Sequence, residues 1–119
     1  MGRGFWPWFL QRATAVLLLA FLGAHLWLEH FAAPGRVTTY RRVAARLAHP
    51  AFVALDWGLL ALVVFHGLNG ARTAVLDLGL SPAGERAVTW LAVVLGVGAF
   101  LLGVDALAPF LGMRAPVPW

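Results

Sequence analysis

The chain has 119 residues, 61% hydrophobic and 12% charged, with a mean hydropathy of +0.82, too little polar surface for an ordinary water-soluble domain. It has no cysteine, which excludes disulfides, thiolate-held zinc and cysteine-ligated iron–sulfur clusters and leaves His, Asp or Glu to hold any metal. Nine arginines stand against five acids at segment ends and in loops; with no clustered basic face they suit lipid headgroups, phosphates or propionates and exclude nucleic acid as a partner.

Three stretches carry no charge: 13–28, 57–71 and 87–104. Extended to their aromatic and small-residue flanks, each reaches the roughly 20 residues that cross a hydrocarbon core. An all-α membrane protein follows, with transmembrane helices over 8–31, 51–76 and 85–108 in a single domain covering 1–119. The first span is too long for a cleavable signal peptide, and it ends in Trp27, Glu29 and His30 rather than a small-residue cleavage site. Phe5, Trp6, Trp8 and Phe9 form an interfacial aromatic belt ahead of Arg12, and Pro7 suits a helix start.

Pro34-Gly35 stops the first span. Beyond it a short helix is expected over 38–48, capped by Thr38 and lying on the membrane surface. Val37, Tyr40, Ala44 and Leu47 share one face of it, while Arg41, Arg42 and Arg46 reach for headgroups. Leu80-Ser-Pro-Ala-Gly84 connects the second and third spans, and the proline-rich tail from Arg114 to Trp119 is not helical. Arginine counts do not orient the chain: Arg3, Arg12, Arg72 and Arg86 fall on one side, and Arg36, Arg41, Arg42, Arg46 and Arg114 on the other.

The chemistry-bearing residues concentrate on the second span. An ionisable residue at membrane depth is costly and marks function. His66, Gly70, Thr73 and Asp77 fall on one helical stripe, with Asp77 about 16 Å beyond His66 along the axis. The glycine one turn from the imidazole removes a side chain that would block a flat ligand, which suits a haem iron bound by His66. The alternative is a packing histidine. His25, late in the first span, lies at the opposite depth from His66 because neighbouring spans run antiparallel, so the two cannot share one iron. It either binds a second group or hydrogen-bonds a carbonyl or Glu29. His30 is read as interfacial and His49 as a loop residue; Asp56 pairs with Arg46 or caps its helix, and Asp105 sits at a helix end.

Gln11-Arg-Ala-Thr-Ala-Val-Leu-Leu-Leu with Gly23-Ala-His25-Leu, then Asp56 ahead of His66-Gly-Leu-Asn-Gly70-Ala-Arg72-Thr, then Asp77, resembles the three-helix membrane anchors of succinate:quinone oxidoreductase (respiratory complex II) and fumarate reductase, the D-type subunit most closely. The resemblance runs over about residues 8–78. It implies a multi-pass subunit of the inner (cytoplasmic) membrane with its N-terminus inside and C-terminus outside. The implied partners are a C-type anchor, an iron–sulfur subunit and a flavoprotein subunit, with succinate oxidised elsewhere in the complex.

By the same resemblance His66 is an axial ligand of haem b, His25 the ligand of a second haem if there are two, and Gly70 part of the haem site. Arg12 and Arg72 lie near the propionates and the quinone pocket, with Asp77 at its quinone end. Leu78 departs from the pattern, since many D-type anchors carry there a tyrosine that hydrogen-bonds the quinone. Two other readings stand beside this one: a cytochrome b subunit of another redox complex, and a haem-free structural membrane subunit.

Overall fold

The structure, a computed structural model, describes residues 4–31 and 39–111. Helix α1 runs Phe5–Leu26 and continues as a π-helical turn over Trp27–Phe31. It starts three residues before the expected position 8, because Pro7 falls in the first turn, where a missing N–H costs nothing. The aromatic belt is therefore helical itself, with Phe5 stacked on Phe9 at 5.9 Å.

Helix α2, Tyr40–Leu47, is shorter than the expected 38–48. Its cap is Thr39, whose hydroxyl accepts from the Arg42 N–H; Thr38, Val37, Pro34 and Gly35 lie outside the described residues, as does the tail beyond 111. Ala44 and Leu47 are buried as their shared face requires, whereas Tyr40 is exposed and lies near Phe110 at the far end of the last helix.

Helix α3 is Pro50–Leu76, one residue longer than expected, with Pro50 at its first position and His49 as an extended N-cap. It stops at Asp77, and Gly79 takes a φ of +74°, the left-handed geometry that lets the chain turn away. Helix α4, Pro82–Leu107, begins three residues before the expected 85, since Ser81 accepts from the Gly84 N–H and Pro82 fills the first position. A short 3₁₀ turn over Ala108–Phe110 follows.

The helices α1, α3 and α4, with their terminal turns, are long and apolar enough to cross a membrane. α3 is central, with α1 and α4 packed against it and α2 lying against its N-terminal end. Among the described residues only Thr14, Ala44, Leu47 and Val53 are buried, and most large apolar side chains of the spans face outward. Lipid tails are as apolar as leucine, so close backbone approach and polar bonds must hold the helices together.

Glycines supply that approach. Phe21 of α1 lies in the notch at Gly58, and Leu60 of α3 in the notch at Gly103. A Cβ at Gly58 would fall 2.6 Å from the Phe21 ring, while one at Gly98 would meet nothing within 4 Å. Gly58→Ala is therefore expected to destabilise the chain by about 1–3 kcal/mol through overpacking, and Gly98→Ala to leave the thermal midpoint of the purified protein unchanged. Equal midpoints for the two variants would contradict the packing described.

Candidate functional site

Two histidine clusters tie α1 to α3, one toward each end of the seam. The first is centred on His66. The Thr14 hydroxyl donates to the Leu10 carbonyl at 2.7 Å, as a threonine inside a helix commonly does. With its hydrogen so used, the oxygen serves as acceptor for His66 Nδ1 at 3.1 Å. The neutral ring then carries its proton on Nδ1 and its lone pair on Nε2.

Gln11 occupies the other side of this ring. Its Nε2 lies 3.3 Å from His66 Nε2 and donates to the His66 carbonyl at 3.2 Å, while its Oε1 accepts from Asn69 Nδ2 at 2.7 Å. Asn69 also donates to the Pro7 carbonyl at 3.3 Å. The opening expected at Gly70 is filled by this amide, which sits 3.0 Å from where a Cβ would be. Gln11, Thr14 and Asn69 were not singled out as partners of His66 by sequence reasoning. The available signal was that all three are polar residues inside otherwise apolar spans.

The second cluster lies at the opposite end of the seam. His25 Nδ1 is 3.0 Å from Asp56 Oδ1. Asp56 Oδ2 is 3.8 Å from Arg46 of α2, and Arg46 also pairs with Glu29 in the π turn. The expected Asp56–Arg46 pairing is thus present, but the partner of His25 is Asp56 rather than Glu29 or a carbonyl. Asp56 precedes His66 by ten residues, about 15 Å along α3, so the two imidazoles stand at different depths as the antiparallel arrangement requires.

The remaining sequence candidates lie apart from these clusters. Arg72 is six residues past His66, which turns it about 120° round α3. Its Nε donates to Thr89 of α4 at 2.8 Å. There it lines an open groove of about 650 Å³ between all three spans, whose walls include Leu10, Phe65, Leu68, Gly96 and Phe100. Asn69 reaches both the groove and the His66 cluster.

Arg12 is exposed and lies over the Trp8 ring at 4.0 Å, on the side of α1 turned away from Gln11 and Thr14. Asp77 caps the end of α3, exposed and without an ion pair among the described residues. Leu78 is 77% exposed and offers no donor to anything bound there. His30 is exposed, as is His49, which caps α3 and meets the Phe52 ring. Asp105 is exposed near the end of α4.

Among the described residues no three His, Asp or Glu side chains gather into a metal site. The donor set suits a group that brings its own equatorial ligands and asks one neutral imidazole nitrogen of each chain that holds it. A haem is such a group. Both histidines have Nδ1 hydrogen-bonded, which leaves the lone pair on Nε2, the arrangement that metal-binding imidazoles adopt. The Nε2 of His25 has no partner among the described residues, whereas that of His66 faces the Gln11 amide nitrogen at 3.3 Å, a group that haem binding would have to displace.

Residues 2–104 match the family described as succinate dehydrogenase/fumarate reductase transmembrane subunit. The chain is 34% identical over 106 residues to the succinate dehydrogenase 2 membrane subunit SdhC of Mycobacterium tuberculosis, an alignment covering 87% of this chain and 74% of that one. It is 32% identical over 110 residues to the succinate dehydrogenase hydrophobic membrane anchor subunit of Halobacterium salinarum, covering 86% and 84%. To the succinate dehydrogenase cytochrome b558 subunit of Bacillus subtilis it is 26% identical over 108 residues, covering 88% of this chain and 54% of that one.

Proposed function

The chain belongs to the family of transmembrane subunits of succinate dehydrogenase and fumarate reductase, and from that footing we propose that it ligates haem b through His66 and helps form the site where quinone takes electrons from the iron–sulfur subunit. It is a multi-pass membrane protein. The observation that supports the haem assignment is the tautomer of His66: Thr14 spends its hydrogen on Leu10 and accepts from Nδ1, so the lone pair inside the membrane span is on Nε2, the nitrogen an iron would take in place of the Gln11 amide. The cytochrome name of one relative supports the same cofactor.

The proposed partners are a companion anchor supplying the second imidazole, an iron–sulfur subunit and a flavoprotein subunit, with the N-terminus on the inner side. The relatives carry both anchor and SdhC names. Assignment as the D-type anchor rests on the resemblance of residues 8–78. His25 is the proposed ligand of a second haem at the other depth. Haem supplies a one-electron relay when bound.

Quinone reduction consumes two electrons and two protons, and the chain's own residues divide that work. The groove beside Arg72 is apolar along most of its walls and accepts the isoprenoid tail, with the head toward the Arg72 guanidinium. Because Thr89 holds Nε, the guanidinium is fixed where it offsets negative charge developing on a quinone oxygen in a low-dielectric setting. Asp77, exposed just beyond the end of α3, delivers protons or orders the water that does. Arg12 faces away from α3 and serves the site from the companion's side. Gly70 gives the Gln11 amide its place against His66.

One observation favours a second reading. The Gln11 amide lies against His66 Nε2, as it would beside a packing histidine in a haem-free structural subunit. Purification through a tag on this chain separates the two. The expected product contains flavin, iron–sulfur centres, a second hydrophobic subunit and a reduced-minus-oxidised spectrum of six-coordinate b-type haem. A complex with flavin and iron–sulfur centres but no haem spectrum would establish the structural reading, and absence of flavin would overturn the assignment of partners.

A further inference from the structure

We infer that Asp56 is a positioning residue for His25, fixing the ring with Nε2 outward and lowering the reduction potential of the iron it binds. This rests on the reading of His25 as a haem ligand. Asp56 Oδ1 stands 3.0 Å from His25 Nδ1, and the Arg46 guanidinium lies 3.8 Å from Oδ2. A carboxylate only accepts hydrogen bonds, so Nδ1 carries the proton and Nε2 the lone pair.

His25 Nε2 has no partner among the described residues, and the side chain keeps 29% of its surface exposed although it sits in a helix packed on α3. Asp56 in turn is 16% exposed and held between α1 and α2, so the acceptor is itself fixed. A metal-bound imidazole whose other nitrogen donates to a carboxylate is the more basic ligand and favours the more highly charged metal.

His66 provides the contrast within the same chain. Its Nδ1 donates to the hydroxyl of Thr14, a neutral acceptor. The charge facing His25 is not cancelled locally, since Asp56 and Glu29 share the one guanidinium of Arg46. The carboxylate therefore acts on one ring of the chain and not on the other, which makes the His66 iron an internal reference.

The experiment is redox titration of haem absorbance in the purified whole complex, comparing the parent with Asp56→Asn, Asp56→Glu, Asp56→Ala and His25→Ala. Asp56→Asn keeps an acceptor for Nδ1 but removes the charge. The expected result is two haems retained, one of them at least tenfold more reduced at a fixed potential, equivalent to a rise of about 59 mV for a one-electron couple, with the other unmoved. Asp56→Glu is expected to stay near the parent value, and Asp56→Ala to hold that haem 10- to 100-fold more weakly, as lost outer-shell partners do.

Retention of the second haem component throughout shows that the complex has folded. If His25→Ala loses one haem while Asp56→Asn leaves both potentials unchanged, the role given to Asp56 is overturned and the ligand assignment stands. If His25→Ala loses none, both fall.

Discussion

Replacing His66 by alanine is expected to remove one haem b per complex, seen as loss of its share of the reduced-minus-oxidised spectrum and of extractable haem. A haem that took the His66 imidazole as a ligand would not keep its place and spin state once that nitrogen was replaced by a methyl group. The fold has less reason to fail. His66 contributes its bonds to Thr14 and Gln11, whereas the α1–α3 seam is also held by Asn69 on Gln11, by Phe21 at Gly58 and by His25 on Asp56.

Thr14→Val, which removes the acceptor for Nδ1 at nearly constant volume, is expected to retain the haem at reduced affinity. His30→Ala, in the exposed π turn, is expected to leave content and spectrum unchanged. Full haem content in the His66→Ala complex would return His66 to the role of a packing residue bonded to Gln11.

Loss of Arg46 is expected to be the most destabilising surface-helix substitution, at about 3–5 kcal/mol, because it strips the counter-charge from two acids at once. The side chains of Arg46, Glu29 and Asp56 are only 20%, 19% and 16% exposed, so water cannot take over the role of the guanidinium. Arg46 also spans three elements: it rides on α2 and pairs with the π turn and with α3. Arg41→Ala on the exposed side of the same helix is the control and is expected to change little. The measure is the temperature at which the purified complex loses its subunits. Combining Arg46→Met with Glu29→Gln and Asp56→Asn should recover most of the loss, since a neutral set leaves no buried charge unpaired. Equal temperatures for Arg46→Ala and Arg41→Ala would show that the cluster does not hold α2 in place.

The three spans were legible because charge-free runs of this length have few other uses, and their ends were blurred where proline entered a first turn. Pro7 and Pro82 each let a helix begin three residues early, and Ser81 was the visible cap for the second of these. The stripe carrying His66, Gly70 and Asp77 could be read from helical spacing, and so in principle could the turn that separates Arg72 from it.

What the sequence concealed was the register between α1 and α3. Once Thr14 is set opposite His66, His25, eleven residues onward, must fall opposite residues ten or eleven before His66, which is where Asp56 stands. Nothing local specifies that alignment, because the two helices are separated in sequence by α2 and its flanking segments. For the same reason Gln11 could not be foreseen as the group filling the space at Gly70.

The scarcity of buried side chains has a consequence for the life of the chain in a cell. A subunit in which, among the described residues, Thr14, Ala44, Leu47 and Val53 alone are enclosed owes most of its order to whatever lies alongside it. A newly inserted copy satisfies the polar groups of its α1–α3 seam internally, but it leaves the groove beside Arg72 open to a bilayer that cannot solvate a guanidinium, the kind of feature membrane proteases and chaperones act upon. Its abundance is then expected to follow the supply of assembly partners more closely than its own synthesis.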